Sequence, residues 1–145
     1  MNLQQILREK GTTVHFIEPS ATLDDVVQAL VRHNCGSLVI CEAGADGPRL
    51  AGIISERDVL RTCAARKAPL DRVLVSEVMT RNVITGSPGD LVEEAMGQMT
   101  VHRIRHLPIL ENGRLAGIIS IGDLVKAQHQ QFAIENHYLK TYIQS

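Results

Sequence analysis

The chain has no tryptophan, and its aromatic residues are only Phe16, Phe132, Tyr138 and Tyr142, 3% of the sequence. That scarcity argues against the stacking platforms that hold single-stranded nucleic acids. Charge of neither sign dominates. The 15 Lys+Arg stand against 16 Asp+Glu, a formal net charge of −1, so the broad basic field of a dedicated nucleic-acid binder is missing. There are three cysteines, Cys35, Cys41 and Cys63, an odd number without a CxxC pair. They speak against a disulfide framework and for a reducing compartment, each reading as a small packed residue. No apolar run approaches the roughly 18 residues of a membrane span. Met1–Gly11 carries Arg8, Glu9 and Lys10 and lacks the apolar centre of a secretory leader. The expectation is a soluble, cytoplasmic protein with neither nucleic acid nor membrane among its partners.

Reaction machinery is equally sparse. There is no GxSxG elbow and no GxxxxGK[ST] phosphate loop. Of the six histidines, His102 and His106 are four apart but lack the Glu of an HExxH helix, and no thiol or carboxylate pair has the spacing of a closed metal site. The sequence is therefore read as neither an enzyme nor a metalloprotein.

What the chain does have is length enough for one domain, 145 residues at 44% hydrophobic, and a repeat. Arg49-Leu50-Ala51-Gly52-Ile53-Ile54-Ser55 returns without a change as Arg114-Leu115-Ala116-Gly117-Ile118-Ile119-Ser120, and Asp58 returns as Asp123. Upstream, Pro19 matches Pro88, His33 matches His102 and Asp24-Asp25 match Glu93-Glu94. The copies differ in length at one loop, Glu42–Pro48 against Glu111–Gly113, where Gly, Asp and Pro mark a turn that tolerates insertion.

Each copy reads as strand, helix, strand, strand, helix. In the first, a strand near Val14–Ile17 precedes a helix from Thr22 to His33 whose face is Leu23, Val26, Val27, Leu30 and Val31, with Thr22 and Asp25 spaced for a capping box. Strands at Ser37–Cys41 and Leu50–Ile54 and a helix at Glu56–Ala65 follow. The second copy gives Val83–Thr85, Leu91–Val101, His106–Leu110, Leu115–Ile119 and a helix from Ile121. About 65 residues make a thin core, so each half is expected to need the other. Two segments fall outside the repeat. Leu3, Ile6 and Leu7 predict a short helix ended by Gly11, and Gln128–Ser145 continues the last helix with an apolar stripe of Phe132, Leu139, Tyr142 and Ile143.

Gly52–Asp58 and Gly117–Asp123, together with Met79-Thr80 and Arg105-His106-Leu107-Pro108-Ile109, resemble the nucleotide-binding landmarks of CBS domains. The resemblance spans about Val14 to Lys126. It implies an α/β (α+β) fold of two βαββα repeats related by a pseudo-twofold axis and packed as one module, a tandem CBS pair. The expected divisions are an N-terminal helix over 1–12, repeats over 13–78 and 79–127, and a helical extension over 128–145. The resemblance also implies a non-catalytic regulatory module that binds an adenosyl ligand such as AMP, ADP, ATP, NAD or S-adenosylmethionine. Such modules stack as a homodimer and signal to an effector protein.

The candidate ligand residues follow from the same resemblance. Ser55 and Ser120 stand where helices begin, so free N–H groups and the helix dipole favour an anion there, and the glycines before them let a backbone approach a ligand closely. Asp58 and Asp123 can accept a ribose diol. The family pattern sets Arg57 and Asp58 against Thr80, Ile84, Arg105 and His106, with the Arg and His side chains toward phosphates. It sets Asp123, with Gly122 beside it, against His15, Gly36 and Ser37. Two alternatives stay open. Ser-x-x-Asp at a helix start is also a capping box that needs no ligand, and the basic run His102–His106 can serve a helix C-terminus. A protein–protein interaction module with vestigial nucleotide sites is the alternative function.

Overall fold

The computed structural model describes residues 1–144; Ser145, the last residue of the expected extension, lies outside them. The elements run α1 (Leu3–Lys10), β1 (Phe16–Ile17), α2 (Leu23–His33), β2 (Ser37–Glu42), β3 (Arg49–Ser55), α3 (Glu56–Ala65), a 3-10 turn at Leu70–Arg72, α4 (Val75–Val78), α5 (Val92–His102), β4 (His106–Glu111), β5 (Arg114–Ser120) and α6 (Ile121–Gln144). The mixed α/β architecture and its order agree with the repeat. The chain forms two compact units: Thr13–Ile84 with Glu111–Leu115, and Met1–Thr12 with Thr85–Leu110 and the described residues from Ala116 onward.

In the first unit, β1 lies parallel to β2, and β2 pairs antiparallel with β3 in the register Ser37↔Ser55 to Glu42↔Arg49. Helix α2 begins at the expected capping box, Thr22 and Asp25 exchanging backbone-to-side-chain bonds of 3.2 and 2.9 Å. Its buried stripe is Leu23, Val26 and Leu30, packed with Leu38, Ile40, Ile54, Val59 and Val75. Val31 was expected on this face and is 76% exposed; it falls beyond the edge of a stripe that follows 3.6 residues per turn.

In the second repeat the same plan holds with one strand fewer. Val83–Thr85, expected as a strand, forms none. A turn closes there (Val83 N–H to Arg81 O, 3.0 Å), and an isolated bridge between Gly86 and Ile109 supplies a parallel pairing in its place. Strands β4 and β5 make a two-stranded sheet joined by Asn112 and Gly113, both at positive φ (53° and 78°), the pairing that a two-residue hairpin turn favours.

The two units share a device that the repeat does not reveal. Linker residues Val75 and Ser76 donate to Ala21 O and Pro19 O (2.8 and 3.1 Å); Leu3 and Gln4 of α1 donate to Asp90 O and Pro88 O (both 2.9 Å). Thus α1 does for the second repeat what the α4 linker does for the first. Although it comes first in sequence, α1 folds into the unit of the second copy, burying Leu3, Ile6 and Leu7.

Candidate functional site

The repeated glycines are needed, though not for the expected reason. A Cβ on Gly52 would stand 2.8 Å from the Thr80 carbonyl oxygen and 2.9 Å from Met79 Sδ. Strand β3 is thus covered by the linker backbone, which is pinned by paired Ile53–Thr80 hydrogen bonds of 3.0 Å each way. A Cβ on Gly117 would stand 2.6 Å from Leu7 Cδ2 of α1. In each unit the glycine makes room for the chain's own covering segment rather than for a ligand.

Beyond each glycine the strand ends at a helix N-terminus. Asp58 Oδ2 accepts from the Ser55 N–H (2.8 Å) and hydroxyl (3.1 Å), and Asp58 N–H points back to Ser55 Oγ (3.4 Å). The capping box is therefore real. It engages only Oδ2, and a carboxylate offers about four lone-pair sites, so Oδ1 stays open and capping does not compete with binding. Directly across the ladder from Ser55 lies Ser37, 7% exposed, whose Oγ has no hydrogen-bond partner among the described residues. Buried hydroxyls are rarely left so. Gly36 closes the corner by accepting from Glu56 N–H (3.0 Å). The first unit thus gathers Gly36, Ser37, Ser55 and Asp58, with Arg57 exposed beside them and Thr80 exposed on the linker. Ile84 is half-buried at the unit's end.

His15 stands just before β1, exposed, with its ring stacked on His33 at 3.6 Å and 8° between planes. Burial, and then the charges of His15 and Arg32, hold the His33 pKa below its ordinary value.

In the second unit Ser120 N–H donates to Asp123 Oδ2 (2.8 Å), and Asp123 N–H to Ser120 Oγ (3.1 Å). Arg105 occupies the place of Gly36, its carbonyl accepting from Ile121 N–H (2.8 Å), and His106 follows it as Ser37 follows Gly36. The basic run is divided between two elements: His102 and Arg103 end α5, Arg103 as a left-handed cap (φ 54°), whereas Arg105 stands in the bend before β4 and His106 begins that strand. One partner escaped the sequence reading. Lys10 Nζ, from α1, lies 2.6 Å from Asp123 Oδ2 and 2.8 Å from Ile118 O. Burial raises the Asp123 pKa, but the Lys10 hydrogen bond, the Ser120 bonds and the Lys10 charge outweigh it, and the carboxyl lies below its usual range. No sequence spacing connects Lys10 to Asp123; only the folding back of α1 does.

Two surface concavities lie elsewhere, at equivalent places in each unit. One, of about 510 Å³, is lined by Phe16, Ile17, Glu18, Ser20, Ala21 and Asp25; the other, of about 350 Å³, includes Thr85, Gly86, Asp90 and Glu94. Their carboxylates would repel a phosphate. Among the described residues no cluster of His, Cys, Asp or Glu is arranged to hold a metal ion, and no helix is long and apolar enough to cross a membrane. The three cysteines are free; Cys41 is buried, whereas Cys63, expected to pack, is exposed on α3.

The CBS domain profile matches residues 11–65 and 75–130. The chain is 38% identical over 148 residues to the mitochondrial CBS domain-containing protein CBSX3 of Arabidopsis thaliana, covering 98% of this chain and 71% of that protein. It is similar to the crystal structure of the CBS-domain containing protein ATU1752 from Agrobacterium tumefaciens, with a TM-score of 0.82, 38% identity, and 88% and 99% of the two chains covered. It is also similar to the CBS domain protein PAE2072 from Pyrobaculum aerophilum complexed with AMP, at 29% identity and a TM-score of 0.74, over 85% and 89% of the two chains.

Proposed function

The chain belongs to the CBS domain family and carries two of its repeats, and from that premise we propose that it is a non-catalytic sensor of an adenosine-type ligand. The observation that carries this reading is the corner at the start of α3. There, Asp58 keeps one carboxylate oxygen unbonded after capping, and the buried Ser37 hydroxyl lacks a partner. A ligand hydroxyl would satisfy the first, and the second marks a corner whose polar groups the fold leaves unpaired. The AMP complex of PAE2072 supports an adenylate as the first ligand to try, with ADP, ATP, NAD and S-adenosylmethionine as its chemical neighbours. In this reading Ser55 and Ser120 present helix N-termini to anionic groups. Arg57, Arg105 and His106 supply charge for phosphates, and His15, Thr80 and Ile84 serve the base. The module acts as a homodimer in the cytosol, passing a ligand-dependent change in packing to an effector protein. The ligand shifts that equilibrium only by its difference in affinity for the two states.

The test is calorimetric titration of the full chain with AMP, ADP, ATP, NAD and S-adenosylmethionine, beside the Asp58→Asn variant. Asn keeps an acceptor for the Ser55 N–H while removing the charge. A charged hydrogen bond lost should cost on the order of 1.5–3 kcal/mol, about tenfold or more in Kd, with thermal unfolding little changed. Binding of none of the five would leave the module a ligand-free interaction domain, and unaltered binding by Asp58→Asn would leave the carboxylate a cap and overturn the assigned site.

A further inference from the structure

The two units build the same strand–turn–helix corner but treat its carboxylate differently. In the first, the second bond to Asp58 Oδ2 comes from the Ser55 hydroxyl, a rotatable donor that can turn to another acceptor. Among the described residues no cation pairs with Asp58. In the second, the corresponding bond to Asp123 Oδ2 comes from Lys10 Nζ at 2.6 Å, and the same ammonium is tied to Ile118 O at 2.8 Å. With the Ser120 N–H, Oδ2 has then used both its lone pairs.

Lys10 reaches this position because α1 is firmly built in. Asn2 and Gln5 close a capping box at its start, Leu3 and Gln4 bond to Asp90 and Pro88, and Leu7 fills the space above Gly117. Gly11, at φ 97°, then turns the chain away immediately after the lysine. A side chain could not readily adopt that angle. The linker that does the corresponding work in the first unit carries Met79, Thr80, Arg81 and Asn82 there, and none of them pairs with Asp58.

We propose that Lys10 is an internal occupant of the second repeat's carboxylate corner, so that a nucleoside diol meets an Asp123 whose charge is already matched and can grip both of its oxygens only by displacing the lysine, and the two corners of the chain bind unequally. This rests on the proposed nucleotide binding. It goes further in assigning α1, which lies outside the repeat, as the element that discriminates between the corners. Asp58 is the open corner; Asp123 is the corner held by its own chain. The charge of Asp123 is already matched, and Oδ2 has no room for a hydroxyl.

The experiment is calorimetric titration of the full-length chain with adenosine and with AMP, comparing wild type, Lys10→Met, Lys10→Gln, and Lys10→Met combined with Asp123→Asn. Met keeps the length and apolar stem of lysine without the charge; Gln keeps a neutral polar tip in case Met disturbs α1. The pair is partly exposed, its side chains 34% and 26% accessible. Removing it should tighten binding at Asp123 about fivefold, the fold-change that corresponds to the upper end for such pairs. Both Lys10 variants should gain this tighter event for both ligands, and Asp123→Asn should abolish the gain.

The outcomes separate the two readings. If wild type binds through Asp58 and the Lys10 variants gain nothing, the occupant proposal is wrong and the function stands. A loss of AMP affinity in both variants would make Lys10 a phosphate contact instead and equally overturn the proposal. If only the Lys10 variants bind, the proposal holds and the Asp58 corner is the one misassigned. Silence from every form overturns both.

Discussion

At the scale of single residues, most of the site chemistry depends on how many lone pairs and faces remain after the fold has taken its share. Asp58 shows this: capping and ligand binding were rival readings of Ser55-Glu56-Arg57-Asp58, yet the cap uses only Oδ2. The stacked His15–His33 pair makes a second point. Two imidazoles at 3.6 Å are compatible when neutral and repel when both are charged, and Arg32 adds to the repulsion on His33. The folded His33 pKa lies below its unfolded value near 6.5, so the native state binds fewer protons than the unfolded chain. Stability should therefore fall as pH drops through about 6.5 and level off below the folded pKa. Thermal unfolding between pH 8 and 5 should show that decline in wild type and a shallower one in His33→Gln; parallel curves would mean the stack is electrostatically idle.

At the scale of elements, the repeated RLAGIIS strand is the informative case. Its seven residues are identical in the two copies, but what covers each glycine is not. Over Gly52 lies the carbonyl of Thr80, a residue whose N–H and C=O are both bonded to Ile53, with Met79 Sδ; over Gly117 lies the methyl end of Leu7. A backbone carbonyl cannot step aside, whereas a leucine can change rotamer. Gly52→Ala should therefore destabilise by about 1–3 kcal/mol, the usual cost of overpacking, and Gly117→Ala by clearly less. Urea unfolding of the two variants checks this; equal losses would show that the covering segments are equally rigid. The helices tell a similar story. The spacing of Leu23, Val26 and Leu30 made the buried face of α2 readable, while the edge position Val31 turned out exposed. Strand pairing depends on a distant partner, and Val83–Thr85 has the composition of a strand without forming one.

At the scale of the whole molecule, α6 is the main unsatisfied feature. It runs unbroken from Ile121 to Gln144. It is anchored by buried Leu124 and Ala127, but beyond them Phe132, Ile134, Tyr138, Leu139, Tyr142 and Ile143 are all 54–80% exposed. Val125, Phe132 and Leu139 recur every seven residues, a spacing that keeps one seam along a helix. Removing residues 128–145 should leave a folded module, because the cores of both units lie upstream. It should also lower the sedimentation coefficient by more than the lost mass explains. An assembly state identical with and without the segment would show that α6 plays no part in association.

The sequence by itself determined the two copies, the order of their elements, the capping boxes at Thr22 and Ser55, and the carboxylates Asp58 and Asp123. All of these are local: they depend on residues three or four apart, or on a motif that repeats whole. Tertiary structure alone decided that α1 folds into the unit of the second copy, that Lys10 lies on Asp123, and that the Ser37 hydroxyl, opposite Ser55, has no partner among the described residues. It also decided that the repeated glycines make room for Thr80 and Leu7. Each of those facts joins residues far apart in the chain. The hydrophobic effect that brings them together depends on buried area rather than on sequence spacing, so no pattern of neighbouring residues announces them.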